Sequence, residues 1–169
     1  MSNPDGADSI RRTAPVPLDQ CGAALASEIL SDRWTLLILR EALYGVKRYD
    51  DIRADTGIPR SVLTDRLKRL VGAGILLREP YREAGARTRY AYGLTPKGAE
   101  LGLTILALMQ WGDRHIKGGK SALRVQHRTT GRPLKVALVE ANTDSLGIDA
   151  VTLVPTDAPR ALEAPHRDH

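Results

Sequence analysis

The stretch YDDIRADTGIPRSVLTDRLKRLV, residues 49–71, decides how this chain is read. Tyr49, Ile52 and Arg53 fall within one helical face of a short amphipathic segment, which Gly57 stops because glycine adopts the left-handed conformation after a helix without steric cost. Pro59 follows, and its fixed φ suits the opening turn of a second helix. From there Val62, Leu63, Leu67, Leu70 and Val71 form one apolar stripe, while Arg60, Ser61, Thr64, Asp65 and Lys68 lie opposite. Two helices joined by a three- or four-residue turn, the second with a polar and basic outer face, make a helix-turn-helix arrangement.

Upstream, Asp19 can N-cap a helix running through Leu25, Ile29 and Leu30. Ser31 and Asp32 offer a second start ahead of RWTLLILREAL, residues 33–43, which is apolar on nearly all sides, so a central core helix is expected there, ended by Gly45. Downstream, Gly72 and Gly74 close the second helix of the motif. Residues 75–78 and 88–94 then read as the strands of a hairpin turning at Gly85, with Arg82 and Arg87 at the tip and Arg89 just inside it. Thr95 and Pro96 restart a helix that continues to about Ile116. Its apolar residues spread around more of the circumference than one buried face needs. One face is expected on its own domain and another on a second copy across a two-fold interface built from Leu25, Leu101, Ile105, Leu108, Met109 and Trp111. The alternative is a helix buried inside one larger monomer.

Four regions follow. Residues 1–17 read as a disordered arm, 18–117 as the main helical domain, 118–156 as a small β-rich extension and 157–169 as a frayed tail. Short strands are expected at residues 123–126, 134–139 and 151–154. The fold class is mainly α with small β.

A chain of 169 residues with 42% hydrophobic content suits one ordinary domain. Phe is absent, so the core must be aliphatic. The formal charge of +5 is modest, but residues 53–89 hold nine basic against four acidic residues and so carry all of it. A basic excess confined to one segment is the footprint of a phosphate-neutralising surface, although a merely solvated face would look the same. A single cysteine, Cys21, excludes an intramolecular disulfide framework and suggests a reducing compartment. No secretory signal is visible and no apolar stretch reaches the ~20 residues a membrane span needs, so the expected location is cytoplasmic. His115, His127, His166 and His169 lack metal-ligand spacing, and no glycine-rich phosphate loop follows a strand. Neither catalysis nor a cofactor nor a metal is expected.

The ordered run of motifs resembles the HxlR family of winged helix-turn-helix regulators. The resemblance rests on Cys21 opening the first helix, RWTLLILR at 33–40, RYDDI at 48–52, IPRSVLTDRL at 58–67, RYAYGLTPKG at 89–98 and Trp111-Gly112. It covers roughly residues 19–116. Two positions depart from the family pattern: Gly22 follows the cysteine where proline is usual, and Asp65 stands where a neutral polar residue is usual. An acid there is unfavourable near phosphates but can accept a hydrogen bond from cytosine N4.

The resemblance implies a dimer on double-stranded DNA at an inverted repeat. Arg60, Ser61, Thr64 and Asp65 would face base edges, with Arg66, Lys68 and Arg48 toward phosphates. Arg82, Arg87 and Arg89 would reach the flanking minor groove. Intramolecular pairing with an acid is the competing role for Arg66 and Arg69. With Asp19 as cap, Cys21 falls in a first helical turn, where the helix dipole favours thiolate. The resemblance makes it a thiol sensor of oxidants or electrophiles, against plain packing beside Ala23, Ala24 and Leu25. A small-molecule effector bound between the dimer helices of two subunits, near Trp34, Met109 and Trp111, is the competing trigger, set against those residues simply forming core. A protein-docking adaptor that does not bind DNA is the remaining alternative.

Overall fold

The computed structural model describes residues 15–85 and 87–156. The expected tail at 157–169 and most of the expected arm lie outside the described residues. Helices α1 (Gly22–Leu30), α2 (Arg33–Leu43), α3 (Tyr49–Thr56) and α4 (Arg60–Gly72) lead into a hairpin of β1 (Leu76–Tyr81) and β2 (Arg89–Leu94). The long α5 (Pro96–His115) follows, and then a second hairpin of β3 (Leu123–His127) and β4 (Val151–Pro155).

Local chemistry explains most boundaries. Asp32 N-caps α2 by accepting from the backbone N–H of Trp34 at 3.0 Å and of Thr35 at 3.1 Å. Gly57 ends α3 at φ 69°, with its N–H returning to the Arg53 carbonyl. The Thr95 hydroxyl accepts from Gly98 N–H and donates to the Gly74 carbonyl, which ties the start of α5 to the turn after α4. A Cβ on Gly98 would lie 2.1 Å from the Ile75 carbonyl oxygen, so only glycine lets α5 approach this closely.

One aliphatic core results. Ile38 and Leu39 of α2, Ile52 of α3, Leu63, Leu67 and Leu70 of α4, Leu76 of β1 and Ile105 of α5 pack together with Ile58 and Ile75 of the connecting turns. Glu41 is buried among them, and its carboxylate is held by the Arg40 guanidinium. The β1–β2 hairpin is antiparallel, with Leu76 opposite Leu94 and Tyr81 opposite Arg89. Residues 47–48 add a short third edge: Tyr92 N–H bonds the Lys47 carbonyl at 2.7 Å and Arg48 bridges Ala91. The N-terminal end of α3 is therefore pinned to this hairpin, the wing.

Three expectations are corrected. Asp19 does not cap a helix: Gln20 and Cys21 N–H bond back to Pro17 and Leu18 in a single 3-10 turn, so α1 starts only at Gly22 and Cys21 occupies its N-cap position. Residues 134–139 do not form a ladder strand, because Pro133 lacks an N–H and the Gln110 side chain takes up both the N–H and the carbonyl of Val136. Ile105 is 5% exposed and belongs to the protomer's own core rather than to a subunit interface. Leu101 and Met109 are half-buried against that same core. The helical period turns residues 98, 102, 105 and 106 inward, which leaves Leu108 and Trp111 on the outside at 48% and 58% exposed. Leu25 is likewise exposed.

Besides the Gln110–Val136 bonds, the extension meets α5 at a notch. Ile148 packs over Gly102, where a Cβ would stand 2.6 Å from its Cγ1.

Candidate nucleic-acid interface

Burying Leu63, Leu67 and Leu70 fixes the rotation of α4, and the exposed side then presents Arg60, Ser61, Thr64, Asp65 and Lys68, with Arg69 further along. The Tyr49 hydroxyl of α3 lies 3.0 Å from the Arg60 carbonyl, to which it donates, and 3.1 Å from the Thr64 hydroxyl. The first turn of α4 is thus held by the side chain that opens α3.

Arg66 departs from the outward orientation expected of it. Its guanidinium, 23% exposed, donates from Nε to Asp32 Oδ2 at 2.9 Å and also pairs with Asp65. The reason is position: Arg66 follows the outer face by less than a turn, and the Asp32 carboxylate at the head of α2 lies within its reach. Asp32 collects the α2 cap, the Thr35 hydroxyl at 2.7 Å and Arg66 in one node. Burial pushes the Asp32 carboxyl pKa up, but hydrogen bonds from Thr35 and the charge and hydrogen bond of Arg66 outweigh it and hold the group below its usual value. Arg66 therefore links two helices instead of facing solvent.

The wing stands beside the same helix end. Arg48 pairs with Glu83 at 2.9 Å and stacks over Tyr81, while Arg89 pairs with Asp50 at 3.7 Å. All four charged groups are about half exposed, so each pair contributes little on its own and yields readily to another anion. Arg78 lies over the Tyr90 ring at 3.4 Å. Arg82 and Arg87 are exposed on either side of the Gly85 turn. Residues 48–50 thus touch both the first turn of α4 and the wing, which brings two stretches of basic sequence onto one surface. Sequence reasoning missed the Tyr49 hydroxyl, Asp32, Asp50 and Glu83 as partners. Their contacts span from 11 to 39 residues, and no local periodicity signals them.

Cys21 is half-buried in extended backbone and its side chain makes no capping hydrogen bond. A cleft of about 320 Å³ lies between α5 and the extension, lined by Leu106, Met109, Leu123, Val125 and Val136 among others. Met109 lines it, and Trp34 and Trp111 do not. Among the described residues no group of three or more His, Cys, Asp or Glu could hold a metal ion, and no helix is long and apolar enough to cross a membrane.

Comparison with known proteins bears on this geometry. The HxlR-like helix-turn-helix family model matches residues 29–120. The HTH-type transcriptional regulator Rv3095 of Mycobacterium tuberculosis is 41% identical over 107 residues, which is 63% of this chain and 66% of that protein. YvaP of Bacillus subtilis, also described as an HTH-type transcriptional regulator, is 34% identical over 54% of this chain and 83% of its own length. Among solved structures, PA1607 superposes with a TM-score of 0.63 at 26% identity, covering 85% of this chain and 95% of that one. That share exceeds what residues 1–120 could supply, so the likeness runs into the C-terminal extension. The redox regulator HypR in its oxidised form superposes with a TM-score of 0.51 at 25% identity over 56% of this chain and 97% of that one. The family match covers more than half the chain and takes in α2, the helix-turn-helix, the wing and α5, so the chain belongs to the HxlR-like helix-turn-helix family of transcriptional regulators.

Proposed function

We propose that the protein regulates transcription by binding double-stranded DNA as a homodimer. The N-terminal half of α4 enters the major groove and the wing tip reaches the adjoining minor groove. The observation that carries this reading is the convergence of the exposed α4 face and the wing on residues 48–50, through Tyr49 to Arg60 and Thr64 and through Arg48 and Asp50 to Glu83 and Arg89. In this reading Arg60, Ser61, Thr64 and Asp65 meet base edges, and Lys68, Arg82 and Arg87 meet phosphates or the minor groove. Arg48 and Arg89 exchange their surface carboxylates for phosphate. Arg66 serves by holding α4 to α2.

The exposed Leu103, Leu108 and Trp111 of α5, with Leu25 of α1, supply the two-fold contact. Cys21 is the signal input: the likeness to a redox regulator and the half-accessible thiol at a helix start both support it.

The test is a footprint of the purified protein on DNA upstream of its own and neighbouring genes, with and without oxidant, alongside Cys21→Ser. The expected pattern is two protected half-sites about one helical turn, or a multiple of it, apart. Oxidant should release the wild type and leave Cys21→Ser bound. Uniform protection without a repeat would contradict the DNA reading, and equal release of both proteins would contradict the thiol reading.

A further inference from the structure

Resting on the DNA-binding reading, we infer that Tyr49 is a specificity-determining residue, because it fixes the Thr64 hydroxyl as a pure acceptor toward the base edge and so selects adenine or cytosine on the contacted strand. The derivation is a count of protons. A tyrosine hydroxyl has one hydrogen, and a backbone carbonyl can only accept. At 3.0 Å from the Arg60 carbonyl, the Tyr49 hydrogen lies on that contact. The 3.1 Å contact between the Tyr49 and Thr64 hydroxyls then has one remaining donor, which is Thr64. With its hydrogen directed back to Tyr49, the exposed Thr64 oxygen has only lone pairs left to offer solvent or a ligand.

An unconstrained threonine hydroxyl rotates and serves as donor or acceptor, so it discriminates poorly between base edges. An acceptor-only hydroxyl discriminates. In the major groove it pairs with the amino groups of adenine N6 or cytosine N4 and is repelled by guanine O6, thymine O4 and purine N7. Asp65, the next residue, carries a carboxylate that also only accepts. Two neighbouring acceptors on one exposed face make the amino preference a property of the surface as built, and Tyr49 is its source at Thr64 although it is a positioning residue that itself touches no base.

The experiment is selection of bound duplexes from a library with a randomised half-site, using the full-length wild type, Tyr49→Phe, Thr64→Ser and Thr64→Val. Wild type and Thr64→Ser should enrich adenine or cytosine at one shared position, by about five- to tenfold over guanine or thymine, the size of one neutral hydrogen bond. Tyr49→Phe should lose that enrichment at that position alone while keeping the rest of the selected site. Thr64→Val, at an exposed position where folding is not at stake, should lose it too. Enrichment of guanine or thymine at the position sensitive to Thr64, or an unchanged preference in Tyr49→Phe, overturns the inference while leaving DNA binding intact. If Tyr49→Phe fails to fold, equal preferences in Thr64→Ser and Thr64→Val overturn it. If the wild type enriches no sequence, the DNA reading falls, and the inference falls with it.

Discussion

Replacing Asp32 tests the node that joins the core helix α2 to α4. Asp32→Ala removes the cap on α2, worth about 1 kcal/mol. It also leaves the hydroxyl of Thr35, only 2% exposed, without its acceptor, at a cost of about 1–3 kcal/mol. Arg66 keeps Asp65 but loses the Asp32 carboxylate. Because the three effects share one group they do not add fully, and a total of about 3 kcal/mol is expected. At roughly 2–4 °C per kcal/mol for a chain of this size, melting should fall by about 6–12 °C. Asp32→Asn keeps Oδ1 for the two cap N–H groups, but the amide nitrogen that replaces Oδ2 cannot accept from the Thr35 hydroxyl or from Arg66 Nε, so it should cost about 1–2 kcal/mol, less than Asp32→Ala. Urea unfolding of both variants, repeated in an Arg66→Met background, isolates the Asp32–Arg66 coupling. The sign with pH follows from the depressed pKa. The ionised carboxylate contributes fully above the unfolded-state value near 3.8, and that contribution is lost as pH falls through the lower folded-state value. The stability gap between wild type and Asp32→Ala should therefore narrow below about pH 4. An Asp32→Ala cost under about 0.5 kcal/mol, or a gap that widens on acidification, would refute the reasoning.

Two further substitutions probe the faces of α5. Gly102→Ala forces Ile148 and Leu43 to move, since its Cβ would stand 2.8 Å from Ile148 Cδ1 and 3.2 Å from Leu43 Cδ1. Hydrogen exchange should accelerate at residues 148–155 while α3 and α4 keep their protection, whereas faster exchange throughout would mean that the extension and the core unfold together. Trp111→Glu should convert a dimer to a monomer at micromolar concentration by sedimentation, with the melting temperature of the monomeric fold nearly unchanged. A dimer that persists would move the interface away from this face.

The helix-turn-helix was legible because its signals are local. Gly57, Pro59 and the stripe at Leu63, Leu67 and Leu70 each act within a turn or two of chain, as do the Thr95 cap and the Gly85 turn. The inward face of α5 was not legible. Leucine, isoleucine and methionine surround the helix, and only the neighbours that Gly98 and Gly102 admit decide that Ile105 is inside and Trp111 outside. Arg66 reads in the sequence either as an outward cation or as half of an internal pair, and only Asp32, 34 residues earlier and 2.9 Å away, decides between them. The segment at 134–139 has the composition of a strand, yet a side-chain amide from α5 replaces its backbone partner at Val136. The outward face of α4 was therefore legible in outline, while the hydrogen bonds that orient it depend on contacts between elements.

The central claim is that the α4 face and the wing tip together form the DNA-contacting surface. The salt dependence of DNA affinity tests it most directly, measured for wild type, Lys68→Ala, Arg87→Ala and, as cations beside the α5 cleft, Arg114→Ala and Lys135→Ala. The first two should each flatten the log–log slope by about 0.9, the value of one phosphate contact, while the cleft variants keep the wild-type slope. Slopes unchanged in Lys68→Ala and Arg87→Ala, or flattened equally by the cleft variants, would contradict the account.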